Sequence, residues 1–170
     1  MDIFIEQIVA KQSTAKDILL KIGIGLLAAV LSIALLIVSG MFGLGMIGML
    51  LAAGCIYGAF YLITGFNIEY EYIVTNGEID IDKIFAKRRR KRLITAKASS
   101  FEKFGPANEA PASFDGTTIM ASSGIANENY YAEFNHSKHG HVRLIFSPNE
   151  KVLGAIKPYL PRNIHQNIYQ

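Results

Sequence analysis

Between Lys21 and Glu69 the chain runs for 47 residues without an Asp, Glu, Lys, Arg or His. A bilayer core is about 30 Å thick and is crossed by about 20 apolar residues of helix. The run is too long for one crossing and fits two joined by a tight turn. The spacing therefore predicts an integral membrane protein with a two-helix hairpin over residues 15–65. Thr14 is placed to cap the first helix, with Asp17 at the third position complementing its dipole. A helix from Ala15 to Val38 would rise roughly 36 Å. Ser39-Gly40 opens an uncharged turn, a second helix follows over about 42–63, and Thr64-Gly65 ends it. Lys16 and Lys21 can snorkel to an interface. Tyr57 and Tyr61 stand near the end of the second helix, where amphipathic rings suit an interface.

Small residues indicate how two such helices meet. In lipid, close backbone approach replaces the hydrophobic drive, so small seams mark helix contacts. Gly45, Gly48, Ala52, Cys55 and Ala59 recur at three- and four-residue spacing. Gly25, Ala28, Ser32 and Ser39 form a comparable stripe on the first helix. Gly54-x-x-x-Gly58 is a second small face, suited to a homodimer. A helix this rich in Gly and Ala also produces such seams by composition alone.

Charge sets the expected orientation. Lys11, Lys16 and Lys21 flank the entry, and Lys87-Arg88-Arg89-Arg90-Lys91-Arg92 follows the exit. The turn between the helices carries no charge. The positive-inside rule puts both termini in the cytoplasm, at the plasma membrane. The net charge is +3, and residues 69–170 hold 14 Lys/Arg against 11 Asp/Glu. The six-cation run alone therefore makes that part basic. Cys55 is the one cysteine, so no intrachain disulfide forms. About twenty mixed residues precede the apolar run and no A-x-A site closes it, unlike a secretory signal.

Residues 1–14 set Ile3, Phe4, Ile5, Ile8 and Val9 against Asp2, Glu6 and Gln7. That pattern allows a short amphipathic helix on the membrane surface, or a frayed terminus. After Gly65 the period becomes two. Ile68–Thr75 and Glu78–Phe85 alternate on either side of Asn76-Gly77, the strongest short hairpin signal. A break at Ile84-Phe85 suggests a bulge or the strand's end. Further strands are expected at Arg92–Lys97, Thr117–Ser122, Asn129–His136 and His141–Ser147. Ala98–Gly116 reads mainly as loop, from its Pro, Gly and Ser. Pro148 opens a final helix over about 149–160, with Val152, Leu153, Ile156, Tyr159 and Leu160 on one apolar face. Residues 163–170 are a tail.

Six or seven short antiparallel strands and one amphipathic helix make an α+β, mainly-β domain over residues 66–162. That order resembles the pleckstrin-homology (PH) fold. The chain looks like small bacterial membrane proteins that join a two-helix hairpin to a PH-like domain. The strand leaving the membrane, the Tyr-x-x-Thr-Asn-Gly turn at residues 72–77 and the basic return segment carry the resemblance, over about residues 20–160. It implies a partly open antiparallel barrel with a C-terminal helix. It does not fix a ligand.

The basic run is the leading candidate site. Eight residues of strand carry the chain about 26 Å outward, and the Asn76-Gly77 turn sends it back. The run should therefore return near the membrane surface. Anionic cytoplasmic lipids attract such clusters at about 1 kcal/mol per cation, screened by salt. Arg88, Arg89, Arg90 and Arg92 are expected to meet lipid phosphates, with Lys87 and Lys91 assisting. The plainer reading is that the run only fixes topology. Nucleic acid is disfavoured, because no aromatic stacking platform accompanies the charges.

Two other clusters are weaker. His136, His139 and His141 have spacing that can converge on a metal. No Cys or acid sits beside them, and Gly140 marks an ordinary turn. Glu69, Glu71, Asp80 and Asp82 are spaced by two on facing strands, and paired carboxylates can do acid–base work. The alternation instead makes them the solvated face of the hairpin, opposite Tyr70, Tyr72, Ile79 and Ile81. No phosphate-loop, nucleophile-elbow, zinc-protease or dinucleotide signature occurs. Neither catalysis nor a cofactor or metal is expected. Two functions stay open: a scaffold that engages lipid headgroups, a protein partner or its own copies, or an accessory subunit of a membrane complex acting through the Gly/Ala-rich helices.

Overall fold

The structure is a computed structural model and describes residues 3–164. The chain divides into two units, residues 13–67 and residues 3–12 with 68–164. Met1, Asp2 and positions 165–170 of the expected tail lie outside the described residues.

Residues 13–67 form two helices, α1 (Ala15–Met41) and α2 (Gly45–Gly65). Both are long and apolar enough to cross a membrane. The cap at Thr14 is reciprocal: Asp17 N–H donates to Thr14 Oγ1 at 3.3 Å and Thr14 N–H to Asp17 Oδ2 at 3.0 Å. Two of the helix's orphan donors are thereby satisfied. The turn closes with Gly43 at φ 71° and Leu44 N–H donating to Ser39 O at 2.8 Å. Helix α1 ends three residues later than the apolar pattern suggested, and α2 is shifted, beginning three residues later and ending two residues later than expected. Ser39-Gly40 continues α1 because nothing in this short turn forbids helical φ before Gly43.

The other unit is built from two four-stranded sheets. Sheet A has the order β1 (Phe4–Ala10), β2 (Ile68–Thr75), β3 (Glu78–Phe85), β4 (Arg89–Lys97). Sheet B has the order β5 (Phe101–Pro106), β7 (Tyr130–His136), β8 (Gly140–Phe146), β6 (Thr117–Ala121). Helix α3 (Glu150–Ile156) is capped by Asn149, whose Oδ1 accepts from Val152 N–H at 2.9 Å, and runs into a 3-10 turn at Lys157–Tyr159. The strands alternate, so one row from each sheet enters a shared core with α3. Tyr72, Ile79, Ile81, Phe134, Leu144, Phe146, Val152 and Ile156 are all fully enclosed there. Tyr72 meets Phe146 edge to face at 5.8 Å. Its hydroxyl donates to Ala121 O and accepts from Ser147 N–H, so the buried polar tip is satisfied. Burial pushes the Tyr72 phenol up.

Three elements differ from the sequence reading. The N-terminal segment is neither a surface helix nor a frayed end: Phe4–Ala10 is strand β1, paired antiparallel with β2 from Phe4↔Thr75 to Ala10↔Glu69. Its odd residues turn inward. Val9 is buried, Ile3 and Ile5 pack on the core, and Gln7 bridges Ser147 O at 3.0 Å and Asn149 N–H at 2.9 Å. The domain therefore begins before the hairpin, not at residue 66, and the hairpin is an insertion between two paired strands. Second, Ala98–Gly116 holds strand β5. A register irregularity between Phe101 and Lys103 breaks the period of two, which hid the strand. Third, the sheets are not wholly antiparallel. The connection through residues 107–116 carries the chain to the far edge of sheet B, where β6 pairs parallel to β8. No closed barrel forms; the sheets remain separate.

The Asn76-Gly77 turn is as expected. Both residues have positive φ, 49° and 81°, which matches the twist of the flanking strands. Glycine is required at 77 for a further reason: a Cβ there would lie 2.7 Å from Tyr159 Cβ.

Candidate functional site

The basic run lies on the β3–β4 hairpin. Its first two cations are in the turn and the other four begin β4, three residues earlier than the alternation indicated. Ala86 and Lys87 carry φ of 51° and 58°, and Arg88 N–H closes the turn onto Phe85 O at 2.9 Å. Neither residue is Gly or Asn, so this left-handed turn costs backbone energy.

A single irregularity sorts the run into two faces. Ile81 pairs with Ile94, but Asp82 pairs with Arg92, leaving Leu93 as an extra residue. In an unbroken ladder Arg90 and Arg92 would share the core-side parity of Ile94 and Ala96. The bulge reverses that parity. Arg90 and Arg92 now stand on the outer face of sheet A, and Arg89 and Lys91 on the face that continues the core row.

The outer face already holds the acids. Arg92 forms ion pairs with both Asp80 and Asp82. Thr95 Oγ1 joins them, donating to Asp80 Oδ1 at 2.5 Å. Arg90 Nη1 comes to 2.8 Å of Glu71 Oε2, a charge contact without hydrogen-bond alignment. Lys87 Nζ is 3.8 Å from Glu69 Oε1, but its side chain is 82% exposed, so that pair is weak. These four acids do share a face, as the alternation indicated. They are not a solvated row, however: Glu71 is 1% and Asp82 9% exposed. The arginines turned onto the row by the bulge are what enclose it in charge contacts. Burial first, then the neighbouring Glu6 carboxyl, raises Glu71 above the ordinary carboxylate range, against the pull of Arg90.

The opposite face of the hairpin tip is different. Lys83 stands directly across from Lys91, and Phe85 from Arg89. Lys83 Nζ lies 5.0 Å from the Phe85 ring centre. A cavity of about 390 Å³ is lined by Phe85, Arg89 and Lys91. Among the described residues no acid pairs with Lys83, Arg89 or Lys91.

The histidines do not converge. His136 and His139 stack at 5.1 Å, while His141 faces Asp115 O and Glu102 on another strand. Among the described residues no group of His, Cys, Asp and Glu could hold a metal ion. Sheet B carries a second charged cluster that the sequence reading missed. Glu133 is 1% exposed and accepts from Arg143 Nε at 2.8 Å and Nη2 at 2.5 Å, with Lys103 Nζ 3.0 Å away. Phe114 closes over the Arg143 guanidinium at 4.4 Å. The signal was a charge of each sign at facing positions of β7 and β8, invisible without the register.

In the helical unit, Gly48, Ala52 and Ser32 are buried between α1 and α2, with Gly25, Ala28, Ser39, Cys55 and Ala59 half-buried beside them. Ser32 Oγ donates to Ala52 O at 3.3 Å, the local partner a hydroxyl needs in apolar surroundings. A Cβ on Gly48 would lie 2.6 Å from Ser39 Cβ, so only glycine allows the approach. Gly45 and Gly54 are exposed and face open space. Gly58 turns instead into the groove between the helices with Ile24, Ala28 and Cys55.

Two sheets over one core, closed by a C-terminal helix and without a sealed barrel, define a PH-like domain. The chain belongs to the family described as Bacterial PH-like domain (DUF6106), whose model matches residues 1–166. No curated protein and no solved structure matches it.

Proposed function

We propose that this protein is a membrane-anchored, non-catalytic PH-like binding module that engages anionic lipid headgroups, a partner protein, or both, at the cytoplasmic face. The observation that carries this reading is the position of the basic hairpin tip. Phe85 pairs with Ile68, the residue at which β2 begins after the apolar helices end at Gly65. Phe85 is thus in the row of sheet A nearest the chain's departure from the hairpin. Two strand spacings, about 10 Å, separate that chain from β4. Chain connectivity alone thus supports a headgroup role for the run, in which each cation drawn to an anionic surface would contribute about 1 kcal/mol.

The test is the phospholipid retained by the full chain after mild extraction from native membranes. It would be compared with a variant in which residues 87–92 are all Gln. Loss of anionic lipid from the variant supports the reading. Equal lipid retention would remove the headgroup role.

A second reading, an accessory subunit of a membrane complex, is favoured by the bare outward positions of Gly45 and Gly54 on α2. It requires that Gly54→Leu disrupt co-purification of a membrane partner while the Gln variant does not.

A further inference from the structure

We infer that the hairpin tip is a phosphate-binding site formed by Lys83, Arg89 and Lys91, with Phe85 as its floor, and that Arg90 and Arg92 are not part of it. The inference rests on the anionic-ligand reading above and narrows it from a six-residue run to one face. Three unfavourable choices are concentrated there. Lys83 and Lys91 are directly opposed across the strands, an arrangement of like charges that destabilises a sheet. Ala86 and Lys87 hold left-handed backbone in the turn. The Leu93 bulge then removes Arg90 and Arg92 to the acidic face and leaves Arg89 and Lys91 without an acidic partner among the described residues. Local choices that each oppose stability mark functional positions when they coincide.

A phosphate group resolves the conflict. Its oxygens accept from a guanidinium in bidentate fashion and from two ammonium groups as point charges. The 390 Å³ cavity over Phe85, Arg89 and Lys91 is open enough to admit it. Two sources supply that chemistry, a lipid headgroup or a soluble phosphate compound.

The experiment uses the full chain in zwitterionic nanodiscs and follows phosphorus-31 line broadening. One arm adds inorganic pyrophosphate. The other replaces a fraction of the lipid with phosphatidylglycerol. The odd-face variant Arg89→Gln/Lys91→Gln is compared with the even-face variant Arg90→Gln/Arg92→Gln, each losing two cations. The odd-face variant should bind roughly 25-fold more weakly, from about 1 kcal/mol per cation. The even-face variant should bind within about threefold of the parent, while melting at a lower temperature as its acids lose their partners. Should it fail to fold, Arg90→Gln alone is compared with Arg89→Gln alone, each losing one cation. An odd-face loss seen with phosphatidylglycerol alone assigns a headgroup, and one seen with pyrophosphate a soluble ligand; either supports the site. Equal weakening by both variants overturns the face assignment and leaves general polybasic attraction standing. No response from the parent chain in either arm overturns the site and the anionic-ligand reading together.

Discussion

Glu71 and Glu133 are each 1% exposed on the outer face of a sheet, yet they depart from the ordinary carboxylate range in opposite directions. Burial works to raise both. At Glu133, hydrogen bonds and charge from Lys103 and Arg143 outweigh it, and the carboxyl is held low. At Glu71 one cation, Arg90, is set against Glu6 and Asp82, and the carboxyl is held high. The difference lies in the neighbours and not in depth. Sheet B closes a clasp, with Arg143 90% enclosed and Phe114 above it. Sheet A carries more acid than its one close arginine can neutralise at that position.

The widest test asks whether the charged face of sheet A exists without β1. Deleting residues 1–67 removes Glu6 together with Ile3, Ile5 and Val9 from the core. Burying three such side chains contributes about 5 kcal/mol, comparable to a domain's whole stability. That fragment should show no cooperative melting, whereas residues 1–12 joined to 68–170 by a short Gly-Ser loop should melt sharply. Cooperative melting of the shorter fragment would show that sheet B organises the domain alone.

Glu133→Gln should follow in size. It leaves Arg143 buried against a neutral partner and should cost about 3 kcal/mol in urea unfolding. The same change at Glu71 should stay within about 1 kcal/mol of the parent, because burial already opposes the charged carboxylate there. Equal losses would break the comparison.

Stability against pH sharpens it. A carboxyl raised by folding contributes stability below its unfolded value, near 4.5, and that contribution is lost as pH climbs through the folded value. A lowered carboxyl contributes above about 4.5 and loses that contribution as pH falls through its folded value. Glu71→Gln should therefore remove a decline on the alkaline side of 4.5, and Glu133→Gln a decline on the acid side. Thermal melting from pH 3 to 8 separates them. The smallest effect is expected for Lys103→Gln. Its side chain is 54% exposed, so the loss should be about 0.5 kcal/mol.

The hairpin of helices, the Thr14 cap, the Asn76-Gly77 turn and the strands flanking it were legible because each is local: an apolar run, a capping pair, a period of two. What escaped needed pairing partners. Residues 4–10 alternate in a way that suits an amphipathic helix or a strand, and only β2, beyond the apolar run, decides between them. Counting cations in residues 87–92 identified the basic segment. Which way each side chain points depends on Leu93, one extra residue that no periodicity announces. Glu71 looked like one member of a wet acidic row for the same reason, since the arginines that enclose it arrive through that shift.

The order of synthesis gives the insertion between β1 and β2 a temporal meaning. Strand β1 leaves the ribosome first, but residue 68, where its partner begins, is 58 positions after residue 10. At about 5–20 residues per second, β1 waits for several seconds as an unpaired edge. Both apolar helices are made during that interval. The sheet can only zip shut after the hairpin between its first two strands is complete, so a chain whose helices stall should keep an open, protease-sensitive edge that a finished one has sealed.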